Sequence, residues 1–401
     1  MNGILSFTTV FPSPAAPHSG SFVRSRLERV GQIEKVRVLA PVARWDYRRR
    51  TSAAVPAWRR EGSLEIYRPR WISLPGGGAL NGFLLFLQSL PCALRIGREN
   101  FDVIDAHFGH PEAFAAALLA MACRRPFVVT LRGSEAVHSR YPLRRFFMGW
   151  ALRRAARVIA VSERLRQLAL DLGVDPLRAV KVPNGVDAAV FHPRDREAAR
   201  ARLGIPSSTK AILTAGNLIR EKGHHRAIEA LANLRRRGIA AELFIAGAPG
   251  REGGSRYAAG LRTLAAERGV AERVHFLGVV KAARLAEYMC ACDVFCLASQ
   301  REGWPNVVHE SLACGTPVVA TDVGAVPELI PSSAYGAVVP RDDQAALEEA
   351  LAGALAAQWD AAAVAARAGA RTWDRVAREV IVELENAAAG RPIPGGARSV
   401  A

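Results

Sequence analysis

From Ala211 to Ala320 the chain alternates short apolar runs with amphipathic stretches at a spacing that few folds accept. Ala211–Ala215, Leu243–Ala246, Val274–Leu277, Asp293–Leu297 and Pro317–Ala320 are four or five residues long and almost wholly apolar. Between them lie helical patterns: Ile228, Leu231 and Leu234 closed by Gly238, then Leu261–Arg268, Leu285–Met289, and Val307–Cys314 ended by Gly315. A strand with no polar face is buried on both sides, and a helix after each strand supplies the cover. The pattern therefore requires a parallel sheet with helices on both faces.

The first half repeats the plan less tidily. Ile4–Val10, Val36–Ala40, Val103–Ala106, Phe127–Leu131 and Val158–Val161 read as strands, with helical patterns at Phe22–Val30, Phe83–Leu94, Phe114–Cys123 and Leu143–Arg154. At 401 residues the chain is too long for one core. The expected class is α/β, two Rossmann-like domains in series whose parallel sheets face an interdomain cleft. The expected division is an N-terminal domain over 1–192, a C-terminal domain over 193–365, and a terminal segment over 366–401. In that last segment the helix Trp373–Leu384 crosses back to the first domain and a flexible tail follows. Such sheets bind ligands beyond the carboxyl ends of their strands.

Composition narrows the setting. The six cysteines have neither CxxC spacing nor histidines at zinc-finger distances, which points to free buried thiols, a reducing compartment and no metal site. No run approaches the roughly 20 apolar residues of a spanning helix. The longest apolar run, Leu80–Leu90, is interrupted by Asn81, Gln88 and Ser89 and closed by Pro91, too short to span a membrane. Met1–Val10 reads as a first strand and not as a leader, so a cytoplasmic protein is expected.

The formal charge of +17 is uneven: residues 1–190 hold 28 Lys and Arg against 14 Asp and Glu, and the remainder 26 against 23. A basic first half suits an anionic partner, with a membrane surface, at the inner face, as one candidate. Arg140–Arg157, which mixes arginines with Phe146, Phe147 and Trp150, fits an interfacial helix and equally an ordinary packed helix with a basic face. Arg44–Arg60 reads as a basic surface loop. No nucleic-acid-binding motif accompanies the charge, and no GxGxxG fingerprint marks a hydride-transfer enzyme.

The segment with most chemistry in it is Ser299–Leu329, SQREGWPNVVHESLACGTPVVATDVGAVPEL. Pro305 and Asn306 suit a helix start and Gly315 its end, so backbone N–H groups at that start can receive a diphosphate. Glu302, just before the start, and Glu310, two turns deeper, are good acceptors for sugar hydroxyls on either side of it. Two solvated helix-end glutamates fit the same spacing.

The whole string resembles the signature of the retaining glycosyltransferases of family 4, with the GT-B fold: E-x7-E followed by A-x-G-x-P-V-V-A. The resemblance implies that Glu302 contacts the hydroxyls of the donor sugar and Glu310 the nucleotide ribose. It also implies that Gly303, Trp304, Pro305, Asn306 and Val307 lie where backbone amides meet sugar and phosphate. Gly216–Gly223 resembles the family's diphosphate-gripping loop, which makes Lys222 the lysine of that loop. Asn217 replaces the usual arginine, and Arg220 lies three residues on. Asp105-Ala106-His107-Phe108 matches the first-domain histidine near the donor sugar. Thr130-Leu131-Arg132-Gly133-Ser134-Glu135 resembles an acceptor-side loop in which Arg132 and Glu135 stand for the family's histidine and aspartate. Pro17-His18-Ser19-Gly20-Ser21-Phe22 matches a glycine loop near phosphate, with Gly20 the residue carried over.

The expectation is therefore a metal-independent, retaining glycosyltransferase with no cofactor. Its donor is a nucleotide sugar, UDP-linked on family precedent with GDP next, and its acceptor is a lipid-linked, polysaccharide-precursor or small sugar molecule. A GT-B nucleotide-sugar epimerase and a catalytically silent sugar-nucleotide-binding scaffold are the alternatives.

Overall fold

The computed structural model describes residues 1–14, 16–17, 19–44, 55–74, 78–250 and 254–390. His18, residues 45–54 of the basic Arg44–Arg60 segment and the tail after Gly390 lie outside the described residues. The chain divides into two compact units, Met1–Asn184 with the chain from Trp373 onward, and Gly185–Thr372.

In the first unit Ile4–Phe7 sits between Val36–Leu39 and Val103–His107. The sheet continues through Phe127–Leu131, Arg157–Ala160 and Ala179–Lys181 on one side and through Leu64–Tyr67 and Trp58–Glu61 on the other. Every pairing is parallel except the last, a hairpin of Trp58–Glu61 with Leu64–Tyr67. That hairpin is illegible in the sequence because its outer strand, Trp-Arg-Arg-Glu, is a largely exposed edge with no apolar run. Charged, short edge strands are how open sheets avoid pairing with other chains.

The terminal helix Trp373–Ala388 belongs to this first unit. Trp373, Val376, Ala377, Val380 and Leu384 recur at helical spacing and join the core formed by Val23, Leu27 and Ile159. Arg157 donates to Glu383 across 3.1 Å and fixes the outer edge of the contact.

The helix read as Phe83–Leu94 forms over Leu80–Ile96 and runs through Pro91. Pro91 deprives the Leu87 carbonyl of its N–H donor, yet both residues lie on the exposed face, where water can take the donor's place.

The second unit carries six parallel strands in the order Val274–Gly278, Ala241–Ala246, Lys210–Ala215, Val294–Leu297, Val318–Thr321 and Gly336–Val339. Both faces are apolar, as the continuous runs require. Leu213, Phe295 and Leu297 enter one core while Ile212, Val294 and Cys296 enter the other. Chain order reverses between Lys210–Ala215 and Val294–Leu297, so the helices that follow these two strands pack on opposite faces of the sheet, the arrangement beside whose carboxyl ends such sheets bind ligands.

Leu384→Ala removes a fully buried side chain from the terminal helix. Urea unfolding should show a loss of about 2–5 kcal/mol, the usual range for a leucine truncated in a core. A loss below a few tenths would mean that this helix is not part of the unit's core.

Candidate functional site

The switch-point loops of the second unit approach each other so closely that only glycine fits at the contacts. Gly223 has φ +70, and a Cβ there would lie 2.0 Å from the Ala298 carbonyl oxygen. A Cβ on Gly324 would lie 2.5 Å from the carbonyl oxygen of Glu302 and 2.6 Å from that of Gly303. The backbone N–H of Gln300 donates to the Glu221 carbonyl across 2.8 Å and ties the two loops edge to edge.

This close seating brings Lys222 and Glu302 together. Nζ of Lys222 donates to Oε1 of Glu302 at 2.7 Å, and the Ser299 hydroxyl donates to the same oxygen at 2.8 Å. Oε2 has no partner among the described residues. The Lys222 and Glu302 side chains are only 28% and 10% exposed, so the pair is screened less than a surface ion pair. Behind the loop His224 is bonded to Thr214 and to the Asn217 carbonyl, and burial lowers its pKa to about 4. It is a neutral prop. Asn217 and Arg220 lie exposed on the rim, and the guanidinium of Arg220 has no ion-pair partner among the described residues.

Pro305 precedes the helix Asn306–Ala313, whose first-turn N–H groups open at this pole. Gly303 anchors the approach by accepting from Ala325 N–H at 3.0 Å. Trp304 packs its ring edge-to-face on His309, with centroids 5.8 Å apart, and its buried indole N–H has no partner among the described residues. Val307 is half-buried on the first turn. Glu310 is partly buried with no side-chain hydrogen bond or ion pair among the described residues, and burial pushes its pKa up to about 7. A carboxyl in that state can donate or accept towards a ligand hydroxyl at neutral pH.

The first unit assembles its polar residues differently. Asp105 and His107 alternate on the strand Val103–His107 and therefore share a face, where Arg26 reaches both. Nε2 of His107 meets the Ser6 hydroxyl at 3.0 Å, and Nδ1 accepts from Arg132 at 2.9 Å. Burial, opposed by Asp105 and reinforced by Arg26 and Arg132, lowers the His107 pKa to about 3. Burial alone would raise the Asp105 carboxyl, but Arg26 and His107 outweigh it and hold the group ionised. Phe108, next in the chain, adopts φ +76 with no glycine to ease it, a strain of the kind that collects at functional positions.

Two expectations change here. His107 is completely buried with both ring nitrogens engaged, so it presents no atom to a sugar in this structure. Its reach ends at Arg132, which is itself 7% exposed and also donates to Asn184. Glu135 is likewise fully buried. Its carboxylate is filled by the N–H groups of Gly109, Arg132 and Gly133, so it shapes the loop and does not face an acceptor. Gly20 caps the helix Ser21–Val30 at φ +72, where a Cβ would meet the Val10 carbonyl oxygen at 2.2 Å.

Sequence reasoning missed Ser299, Gly324 and His224 in the second unit, and Arg26, Thr9 and Glu112 in the first. Glu112 accepts from the Thr9 hydroxyl, and burial raises its pKa to about 7. The only available signal was the i, i+2 pairing of Asp105 with His107. The others come together through contacts distant in sequence.

Residues 35–190 match the family described as Glycosyltransferase Family 4, and residues 195–372 match Glycosyl transferases group 1. A Bacillus subtilis (strain 168) protein provisionally named the teichuronic acid biosynthesis glycosyltransferase TuaC is 28% identical over 362 residues, 86% of this chain and 87% of that one. The D-inositol 3-phosphate glycosyltransferase of Geodermatophilus obscurus is 34% identical over 253 residues, 60% of this chain and 56% of its own length. Among solved structures, Anabaena HepE in complex with UDP and glucose superposes with a TM-score of 0.74 at 19% identity, covering 96% of this chain and 99% of that one. Sucrose-phosphate synthase of Thermosynechococcus elongatus gives 0.71 at 22%, covering 97% of each. The fold is that of these GT-B proteins.

A carboxyl whose pKa rises on folding binds its proton more tightly in the native state. Glu310 therefore costs nothing below its unfolded pKa of 4.5 and destabilises the protein increasingly as pH rises through about 7. Glu310→Gln should melt at the wild-type temperature at pH 4 and above it at pH 8. An equal difference at both pH values would show that the carboxyl is ordinary.

Proposed function

The chain belongs to the glycosyl transferases of group 1 and family 4, and from that premise we propose that it moves a sugar from a nucleotide-diphosphate donor to an acceptor hydroxyl with retention at the anomeric carbon. The observation that carries the proposal is the Lys222–Glu302 pair at the carboxyl-end crevice of the second unit, beside a helix N-terminus. A diphosphate needs cations and N–H donors, and a sugar needs hydroxyl acceptors. The crevice supplies both within one hydrogen-bonded cluster.

In this reading the donor diphosphate settles against the first-turn amides of Asn306 and Val307 and draws on Lys222, with Arg220 and Asn217 at the rim. The free oxygen of Glu302 accepts from a sugar hydroxyl, and Glu310 bonds the ribose. When the bond between the anomeric carbon and the diphosphate oxygen breaks, its electron pair goes to that oxygen. Lys222 and the amides are already aimed at the growing charge. The acceptor oxygen attacks from the same face, and its proton passes to the departing phosphate oxygen. No metal or further cofactor enters the scheme. His107 positions Arg132 in the first unit, which serves the acceptor.

UDP is the nucleotide we assign to the donor, supported by the UDP in the HepE complex, with GDP as the next candidate. A lipid-linked or polysaccharide-precursor acceptor at the inner membrane face is supported by the teichuronic acid relative and by the basic first half of the chain. No helix among the described residues is long and apolar enough to cross a membrane.

Thermal-shift screening of UDP- and GDP-sugars should find a stabilising donor, and that donor incubated with membrane extract should yield a glycosylated lipid or polymer. Donor turnover without such a product would instead mark an epimerase, and donor binding without turnover a silent scaffold. Glu302→Ala and Lys222→Ala should each lower kcat/KM by about 100-fold or more while leaving the circular dichroism unchanged. Near-normal turnover in Glu302→Ala removes its assigned role.

A further inference from the structure

The helix Leu80–Ile96 of the first unit is apolar on two opposite faces. Gly82, Leu85, Ala93 and Ile96 are buried, and Gly82 packs against Phe114 of the neighbouring helix Glu112–Cys123. The other face holds Leu80, Phe83, Leu87 and Leu94, spaced at three, four and seven residues, and all four are exposed. Leu80 is 61% and Phe83 47% exposed. A helix that is apolar all round belongs in an interior, so the open face calls for a partner.

The surface around this face extends the apolar area. Asn81 and Gln88 each make two hydrogen bonds to backbone, at Leu74 and Ile72 respectively. They strap the segment Ile72–Leu74 alongside the helix with both aliphatic side chains exposed. On the other side Phe114 stacks on Phe147 and Trp150 of the helix Pro142–Leu152. Phe114 thus links the two helices, and the second one exposes Leu143, at 66%, and Phe146, at 59%. At the seam Gly78 faces the Arg144 guanidinium, which lies over the Tyr141 ring.

Charge identifies the occupant. Residues 66–98 and 136–162 contain no Asp or Glu, and the second stretch exposes Arg140, Arg145, Arg153 and Arg154, with Arg144 half-buried and Arg157 buried against Glu383. Arg140 and Arg145 are exposed beside Leu143 and Phe146. Exposed leucines and phenylalanines set among arginines, with no acidic residue in either segment, match the boundary between acyl chains and anionic headgroups. A protein partner of the usual mixed charge offers no such match.

We propose that the exposed faces of Leu80–Ile96 and Pro142–Leu152 together form a docking surface for an anionic lipid bilayer, with the apolar side chains entering the headgroup region and the arginines engaging lipid phosphates. The proposal deepens the reading of a membrane-presented acceptor and rests on it only for its purpose, because docking requires neither donor nor acceptor.

Purified full-length protein is sedimented with phosphatidylcholine vesicles containing about one-third phosphatidylglycerol, and with phosphatidylcholine alone. Binding to the anionic vesicles alone, weakening with added salt, is the expected result. Phe83→Gln/Phe146→Gln and Arg140→Glu/Arg145→Glu should each weaken it about tenfold or more, and all of these side chains are exposed, so folding is preserved. Thermal shift by UDP-sugars, measured in parallel, should be unaltered in both variants and reports on the donor site separately. Undiminished vesicle binding by the variants overturns the proposal. So does a stable dimer that they dissociate, which would make a second copy of the chain the occupant.

Discussion

Parallel strands leave their carboxyl ends bare, and in the second unit that bare edge is closed by loops whose backbones touch. Gly223 against Ala298 and Gly324 against Glu302 and Gly303 are contacts that any side chain would push apart. Because these loops cannot separate, Lys222 is delivered to Glu302 without a long search through side-chain conformers. Ser299 then fixes the carboxylate from the far side. The pre-organisation is built into the backbone, and the ionic chemistry follows from it.

The two glutamates of this pole, eight residues apart, live in different electrostatic worlds. Glu302 meets the Lys222 ammonium through one oxygen, and its other oxygen has no partner among the described residues. Glu310 sits in apolar surroundings with no side-chain partner among the described residues, poised between its neutral and charged forms at physiological pH. The first unit shows a third arrangement, with Arg26, Asp105, His107 and Arg132 buried together and bonded to one another. Burying such charges seldom adds stability over an apolar core. It does fix where Arg132 and the strained backbone at Phe108 point. The uneven charge of the chain acts at longer range, and the two-faced helix Leu80–Ile96 gives it an apolar surface to act with.

Much was legible before any coordinate. The strands Phe127–Leu131 and Val294–Leu297 and the helix Asn306–Ala313 are each bounded by breaks in hydrophobic period or by Pro and Gly, and they form within a residue of the expected limits. The E-x7-E string was legible because its spacing along one loop and one helix is local. By contrast, the Trp58–Glu61 edge and the junction at Asn184 depend on what lies beside them, and sequence spacing carries no such information.

The sequence by itself determined the alternation of strand and helix, the loops at the carboxyl ends of the strands, and the places of Glu302, Glu310 and Lys222 on those loops and the following helix. Periodicity and chain direction are properties of a local stretch. Only the tertiary structure decided that Lys222 meets Glu302, that His107 is sealed beneath Arg132, that Glu135 is spent on loop amides, and that one face of Leu80–Ile96 stays uncovered. Each of these depends on residues brought together from distant parts of the chain, where burial and hydrogen bonding, and not residue type, set what a side chain can do.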